Sequence, residues 1–252
     1  MHPILLKVNS LNVYSYGFMV ALGFAIAVFL MCRNAARFDL DKDRVIDLSI
    51  LVLVTGVIGA RILYIIVNLK YYIANPLEIP QLSKGGLVWY GGFLAALVAM
   101  LIYVRRKALG FLAVADFFVP YLALAQGFGR IGCFLNGCCY GIEAPAGYPF
   151  SVIFPQDTCS RHPTQAYAAL ALILIYIILR FWQEKPHFTG AIFLAYCMLY
   201  SGKRFLIEFL RGDNPKVFLG LTLSQAASAA VFLVSLFVFI KKISEWNQRN
   251  TG

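Results

Sequence analysis

Charge is scarce in this sequence, and acidic charge most of all. Charged residues fill 13% of 252 positions, with 12 Asp and Glu against 22 Lys and Arg, whereas hydrophobic residues fill 60%. A water-soluble domain of this length could bury so much apolar side chain only by stripping its surface of polar groups. The chain also lacks any paired C-x-x-C, internal repeat, low-complexity tract or long polar segment. Those absences argue against a structural zinc module, a repeat array and an appended soluble domain. No Lys/Arg stripe interleaved with aromatics stands on a polar face, so the net charge of +10 does not point to nucleic acid. Anionic lipid headgroups and cytoplasmic loops account for it more simply. Finally, Met1-His2-Pro3-Ile4-Leu5-Leu6-Lys7 has no basic n-region, and Arg33 and Arg37 follow the first apolar run instead of a small-x-small cleavage site. That run is expected to stay as the first helix.

What is there is a series of apolar runs near Tyr14–Met31, Val45–Val67, Leu87–Val104, Phe111–Leu135, Ala166–Trp182, Ala191–Phe209 and Leu221–Ile240. Each is long enough to cross a bilayer as a helix, the one open structure that satisfies its own backbone there. The expectation is an all-α polytopic membrane protein of about seven spans, forming a single domain over residues 1–252. Lys and Arg set its direction. The first connection carries Arg33, Arg37, Lys42 and Arg44, the third Arg105, Arg106 and Lys107, and the tail Lys241, Lys242 and Arg249. Those ends belong in the cytoplasm, which places the N-terminus outside and the C-terminus inside. The sixth connection breaks the pattern: Lys203, Arg204, Arg211 and Lys216 fall on the outer side. Either they are tolerated there, or they bind something anionic.

Ionisable residues inside spans are costly and usually face a cavity. Arg61 lies in the second run and Arg130 in the fourth, while Tyr200, Arg204, Glu208 and Arg211 recur at helical spacing and share one face. With the orientation above, Tyr16, Arg61, Tyr90, Arg130, His162 and Arg204 all land near the outward ends of their segments. A basic, tyrosine-rich pocket at headgroup depth follows. An arginine fork grips phosphate bidentately and keeps its charge when partly desolvated. Glycines 127, 129, 132, 137 and 141 would let backbone approach a ligand. The plainer alternative is close helix packing through small residues plus a structural ion pair such as Arg204–Glu208.

The segment Gly129-Arg130-Ile131-Gly132-Cys133-Phe134-Leu135-Asn136-Gly137-Cys138-Cys139-Tyr140-Gly141 resembles the prolipoprotein diacylglyceryl transferases, whose signature reads G-R-x-G-N-F-x-N-x-E-x-x-G. Tyr16-Gly17, Gly91-Gly92 with Leu94, Asp116 with Pro120, Arg161-His162-Pro163-Thr164-Gln165, and Tyr200 with Arg204, Glu208 and Arg211 match further family motifs in order. The resemblance implies transfer of the diacylglyceryl group of phosphatidylglycerol to the lipobox cysteine of preprolipoproteins. A thioether forms and glycerol phosphate leaves, without metal, nucleotide or other cofactor, at the outer leaflet of a bacterial cytoplasmic (inner) membrane. It implies phosphate binding at Arg130 and leaving-group stabilisation at Arg204. Arg61, Tyr16, Asn136, Gly141, His162, Tyr200 and Glu208 would bind or orient the substrate.

Three positions depart from the family pattern. Tyr90 stands where the family has the histidine of H-G-G, Cys133 where it has asparagine, and Cys138 where it has glutamate. A phenol can donate a hydrogen bond but is a poor base at neutral pH, so Tyr90 enters as a catalytic candidate in a different chemical guise. A diverged phospholipid-binding or accessory membrane protein is the alternative function. Cys133, Cys138, Cys139 and Cys159 lie close in sequence. Their spacings of five, one and twenty do not give the paired pattern of structural zinc, so free thiols or a disulfide from Cys159 to Cys138 or Cys139 are expected ahead of a metal site with His162. His162 is either a structural residue at the start of the fifth span or a part of the site.

Overall fold

The computed structural model describes every residue except Met1, Asn9, Ser10, Asp39, 82–84, Ala146, Gln156, Asp213, Leu219 and Gly252. In chain order it contains a hairpin of β1 (Ile4–Val8) and β2 (Leu11–Tyr14), then α1 (Ser15–Asn34), α2 (Lys42–Val67), the short α3 (Leu69–Ala74), α4 (Trp89–Arg106) and α5 (Phe111–Asn136). A loop carrying β3 (Val152–Ile153) and β4 (Ser160–Arg161) leads to α6 (Thr164–Gln183) and α7 (Ala191–Glu208). The hairpin of β5 (Lys216–Phe218) and β6 (Leu221–Thr222) precedes α8 (Leu223–Thr251). The protein is an all-α membrane protein. Among the described residues seven long helices fall on the seven apolar runs, and α1, α2, α5, α6 and α8 meet the length and hydropathy of a membrane crossing outright. Helices α4 and α7 fall short because Arg105 and Arg106 dilute one, and Lys203, Arg204 and Glu208 the other. Apolar side chains on the crossing helices face outward, Leu170 at 68% and Phe237 at 70% exposure, as lipid-facing residues do.

Residues 31–114 form one compact unit. Its centre is the contact between α2 and α4, where Gly56 and Gly59 meet Gly92 and Gly91. A Cβ on Gly59 would lie 2.6 Å from the Gly91 carbonyl oxygen, and one on Gly92 would lie 2.8 Å from that of Gly56. Small residues that let helix backbones touch are the usual glue of membrane helices.

Residues 1–30 and 115–252 form the other unit. Its core packs α5, α6 and α7 through Val119, Ala123, Leu172, Leu179, Ile192 and Ala195. The buried Asp116 of α5 accepts from the amides of Gly190 (2.5 Å) and Phe193 (2.7 Å) and so closes the N-terminus of α7. The amide of Gln183, at the end of α6, donates to the carbonyls of Asp116 and Phe117. Helix α1 lies against α5, where a Cβ on Gly132 would sit 3.2 Å from the Tyr16 Cα. One sequence expectation shifts: α7 stops at Glu208, so Arg211 is not on its face but in the following turn, its amide on the Glu208 carbonyl at 3.1 Å.

These contacts predict opposite signs for two glycine substitutions. Gly59→Ala should destabilise the protein by about 1–3 kcal/mol because its new methyl meets backbone. Gly17→Ala, with nothing within 4 Å of the added Cβ, should be neutral or stabilising by up to about 1 kcal/mol. Thermal unfolding in detergent reads both.

Candidate active site

The larger unit holds a narrow cavity of about 280 Å³, its mouth included, lined by Arg130, Cys139, Thr164, Gln165, Ala168, Lys203, Arg204, Ile207 and Arg211. Four of the nine are cations. The nine come from α5 and the loop after it, the start of α6, and the end of α7 and the turn after it, so alternating helix directions bring distant sequence segments to one end of the unit. Most of the cavity's volume is open to solvent and the enclosed part is about 10 Å³, room for one water, so the cavity marks where the cations converge and a headgroup would enter only as the walls move apart.

The cations are not alike. Arg204 lies 3.1 Å from the carboxylate of Glu208, one turn on, and donates to the Ser224 hydroxyl at 3.0 Å. Glu208 is fully enclosed, and its other oxygen accepts from Thr222 (2.9 Å) and Asn214 (2.6 Å). The ion pair weighed as the plainer alternative therefore exists, and it also holds one guanidinium at the cavity wall. By contrast, among the described residues no carboxylate pairs with Arg130 or Lys203. The Lys203 ammonium sits 4.1 Å from the Tyr200 ring centroid, within electrostatic reach of both arginines. Among the described residues Arg130 and Lys203 thus leave positive charge uncompensated at the cavity. An anion is the natural complement.

Opposite the cations lies a buried acceptor. Gln165 donates its amide to the Cys138 carbonyl at 2.7 Å, while its Oε1 has no protein partner among the described residues. Thr164 donates to the Cys139 carbonyl at 2.9 Å. Tyr16, at the start of α1, is within electrostatic reach of Arg130 and Cys133. Asn136 ends α5 and hydrogen-bonds Cys138.

Several expected roles change. Gly141 packs against protein, not ligand: a Cβ there would lie 2.5 Å from the Leu210 carbonyl and 2.8 Å from Thr164, so glycine lets the loop pass between them. His162 is buried between Tyr148, 4.8 Å between ring centroids, and the Tyr167 hydroxyl at 3.4 Å, and is not among the residues lining the cavity. Arg61 belongs to the smaller unit. It is buried and donates to the carbonyls of Glu78, Ile79, Gln81, Gly85 and Gly86 at 2.7–3.3 Å. Those five bonds use every N–H of the guanidinium, so Arg61 clasps its own loop instead of a phosphate. Tyr90, also in the smaller unit, is 66% exposed on the first turn of α4. Of the nine wall residues, sequence reasoning reaches only Arg130 and Arg204 as site residues; Lys203 and Gln165 are the most consequential of those it passes over. Lys203 stands out only as an outer-side cation, and Gln165 only as the last letter of its motif.

The sequence model of the family described as prolipoprotein diacylglyceryl transferase matches residues 3–241.

The chain belongs to that family.

A phosphatidylglycerol–prolipoprotein diacylglyceryl transferase of Clostridium tetani (strain Massachusetts / E88) is 36% identical over 244 residues, 95% of this chain and 97% of the relative. The enzyme named phosphatidylglycerol–prolipoprotein diacylglyceryl transferase 2 of Clostridium perfringens (strain 13 / Type A) is 32% identical over 254 residues, 99% of this chain and 98% of the relative. A namesake from Bordetella parapertussis (strain 12822 / ATCC BAA-587 / NCTC 13253) is 37% identical over 226 residues, 87% and 85% of the two chains. The cavity wall falls on the family's motifs at Arg130, Gln165, Arg204 and Arg211.

Two predictions follow from the polar contacts. Glu208→Gln should lower stability by about 3 kcal/mol, the low end for breaking a buried pair, because Arg204 keeps some solvent contact; chemical denaturation in detergent measures it. In the loop before α6, the Arg161 guanidinium bonds the Asp157 carboxylate and, with the Cys159 amide, holds its pKa below the ordinary value. A depressed carboxyl pKa stabilises above the unfolded value and is lost as pH falls through the folded one. Stability should thus drop below about pH 4, and Asp157→Asn should flatten that drop in melting curves taken against pH.

Proposed function

We propose that this protein transfers the diacylglyceryl group of phosphatidylglycerol to the lipobox cysteine thiol of preprolipoproteins, forming a thioether and releasing glycerol phosphate. Family membership over residues 3–241 supports the reaction. The observation that carries the geometry is the convergence of Arg130, Lys203, Arg204 and Arg211 on one cavity.

The chemistry suits such a wall. When sulfur attacks the glyceryl carbon, negative charge builds on the departing phosphate oxygens, and preorganised cations stabilise it more in the transition state than in the bound lipid. Arg130, with no carboxylate partner among the described residues, binds the phosphate. Arg204, fixed by Glu208 and Ser224, stabilises the leaving group. Tyr16 and Asn136 orient the headgroup beside Arg130, and Tyr200 supports the Lys203 ammonium. Tyr90 acts as a hydrogen-bond donor. The two units work as one transferase domain over residues 1–252. Seven helices span a bacterial inner membrane with the N-terminus outside and the C-terminus in the cytoplasm, and the cavity opens toward the outer leaflet. The excess of Lys and Arg in the first and third connections and in the tail supports that direction.

The test has two arms. Purified protein given phosphatidylglycerol and a lipobox peptide should yield lipidated peptide and glycerol phosphate, and the gene should rescue a strain depleted of its own transferase. Arg130→Ala should lower turnover by about 100-fold or more and fail to rescue. Phosphatidylglycerol retained without turnover, where a family enzyme works under the same conditions, would mark a lipid-binding accessory protein and contradict the proposal.

A further inference from the structure

Helix α5 ends in a way that phosphate binding does not require. Gly137 takes φ +74°, its amide meets the Phe134 carbonyl at 3.1 Å, and the Cys138 amide meets the Cys133 carbonyl at 3.2 Å. This is a Schellman cap, which folds the residue after the glycine back over the last turn. Cys139 follows with φ +63°. A spacing of five that looks unpromising in sequence therefore becomes a contact. The sulfurs of Cys133, Cys138 and Cys139 all lie within 4.8 Å of one another.

Zinc–sulfur bonds of ~2.3 Å put tetrahedral sulfurs about 3.8 Å apart, so the trio would close by about 1 Å at most. The turn is fixed from outside by Gln165 on the Cys138 carbonyl and Thr164 on the Cys139 carbonyl. The Asn136 amide hydrogen-bonds Cys138, the type of outer partner that tunes a metal-bound thiolate. Arg130 is within electrostatic reach of Cys133 and offsets the negative charge that three thiolates and one divalent ion leave behind. Cys139 also belongs to the wall of the cationic cavity, so the sulfurs adjoin the place assigned to the leaving phosphate. Three protein ligands leave a fourth position open, as catalytic zinc sites do and structural ones do not.

We propose that Cys133, Cys138 and Cys139 bind one thiophilic divalent ion of the zinc class, whose open position takes the acceptor cysteine as a thiolate. The proposal rests on the transferase reading. Binding the ion releases the three thiol protons to solvent, and coordination of the acceptor releases its proton likewise. The acceptor sulfur then uses an electron pair to form the S–C bond as the C–O bond to phosphate breaks. The C–O pair leaves on the phosphate oxygen facing Arg130 and Arg204. No oxidant or reductant enters. The thioether product carries no charge, binds the ion more weakly than the thiolate, and departs. Metal coordination thus supplies a nucleophile at neutral pH without a histidine base.

The test uses the full chain in detergent, reduced, stripped with a chelator and titrated with Cd²⁺ under sulfur-to-cadmium charge-transfer absorption. Saturation is expected at one ion per chain. Binding should weaken by more than about tenfold in Cys133→Ser, Cys138→Ser and Cys139→Ser and stay unchanged in Cys32→Ser and Cys197→Ser. A lipobox peptide should raise the absorption further, and its serine counterpart should not. Turnover with phosphatidylglycerol should fall on stripping and return with Zn²⁺. No ion binding, or binding with no response to the peptide thiol, overturns the proposal. A stripped chain that turns over at full rate overturns it and leaves the transferase reading standing. A chain that binds the ion but never turns over overturns the transferase reading, and with it the identity of the acceptor.

Discussion

A carboxylate enclosed in an apolar bundle must be matched by cations and donors, and at Glu208 that requirement organises one end of the larger unit. Arg204 supplies the cation, and Thr222 and Asn214 the donors. Satisfying Glu208 thereby draws the β6 strand and the segment after α7 onto the helix end. Ser224, at the start of α8, completes the hold on Arg204. Among the described residues Arg130 and Lys203 have no carboxylate partner, which leaves positive charge in excess at the cavity. On the proposed reading a lipid phosphate restores the balance, which would make ligand binding and the local polar network two parts of one electrostatic arrangement.

Glycines set how closely the pieces of that arrangement approach. Gly132 lets α1 bring Tyr16 against α5, and Gly141 lets the loop thread between Leu210 and Thr164. Gly137 reverses the chain at the end of α5. The glycines of the signature are not among the residues lining the cavity; Gly132 and Gly141 set the approach of the protein segments around it. The α2–α4 contact uses the same device through Gly59 and Gly91.

The helices were legible because apolar runs of crossing length leave the backbone little choice. The cations Arg130 and Arg204 were legible too, since charge within such runs has few reasons to exist. Short strands such as β1 and β2 escaped notice, as a few apolar residues beside a long helix give no period to read. Arg61 misled for a physical reason: a buried guanidinium is equally content with five carbonyls as with a phosphate, and only the placement of the carbonyls of Glu78, Ile79, Gln81, Gly85 and Gly86 distinguishes them. The sulfur trio was hidden by counting spacing along the chain. The relevant signal was Gly137, whose place after a helical run announces a Schellman cap that brings positions five apart together.

The account stands on phosphate held by guanidinium groups from α5 and α7. The most direct measurement is a structure of the protein with phosphatidylglycerol bound, reading the distance from the lipid phosphorus to each guanidinium. The phosphate oxygens should lie within hydrogen-bond reach of Arg130 and Arg204, inside the cavity closed by Gln165. A phosphate bound at Arg61, or on the lipid-facing surface with the cavity cations unengaged, would contradict it.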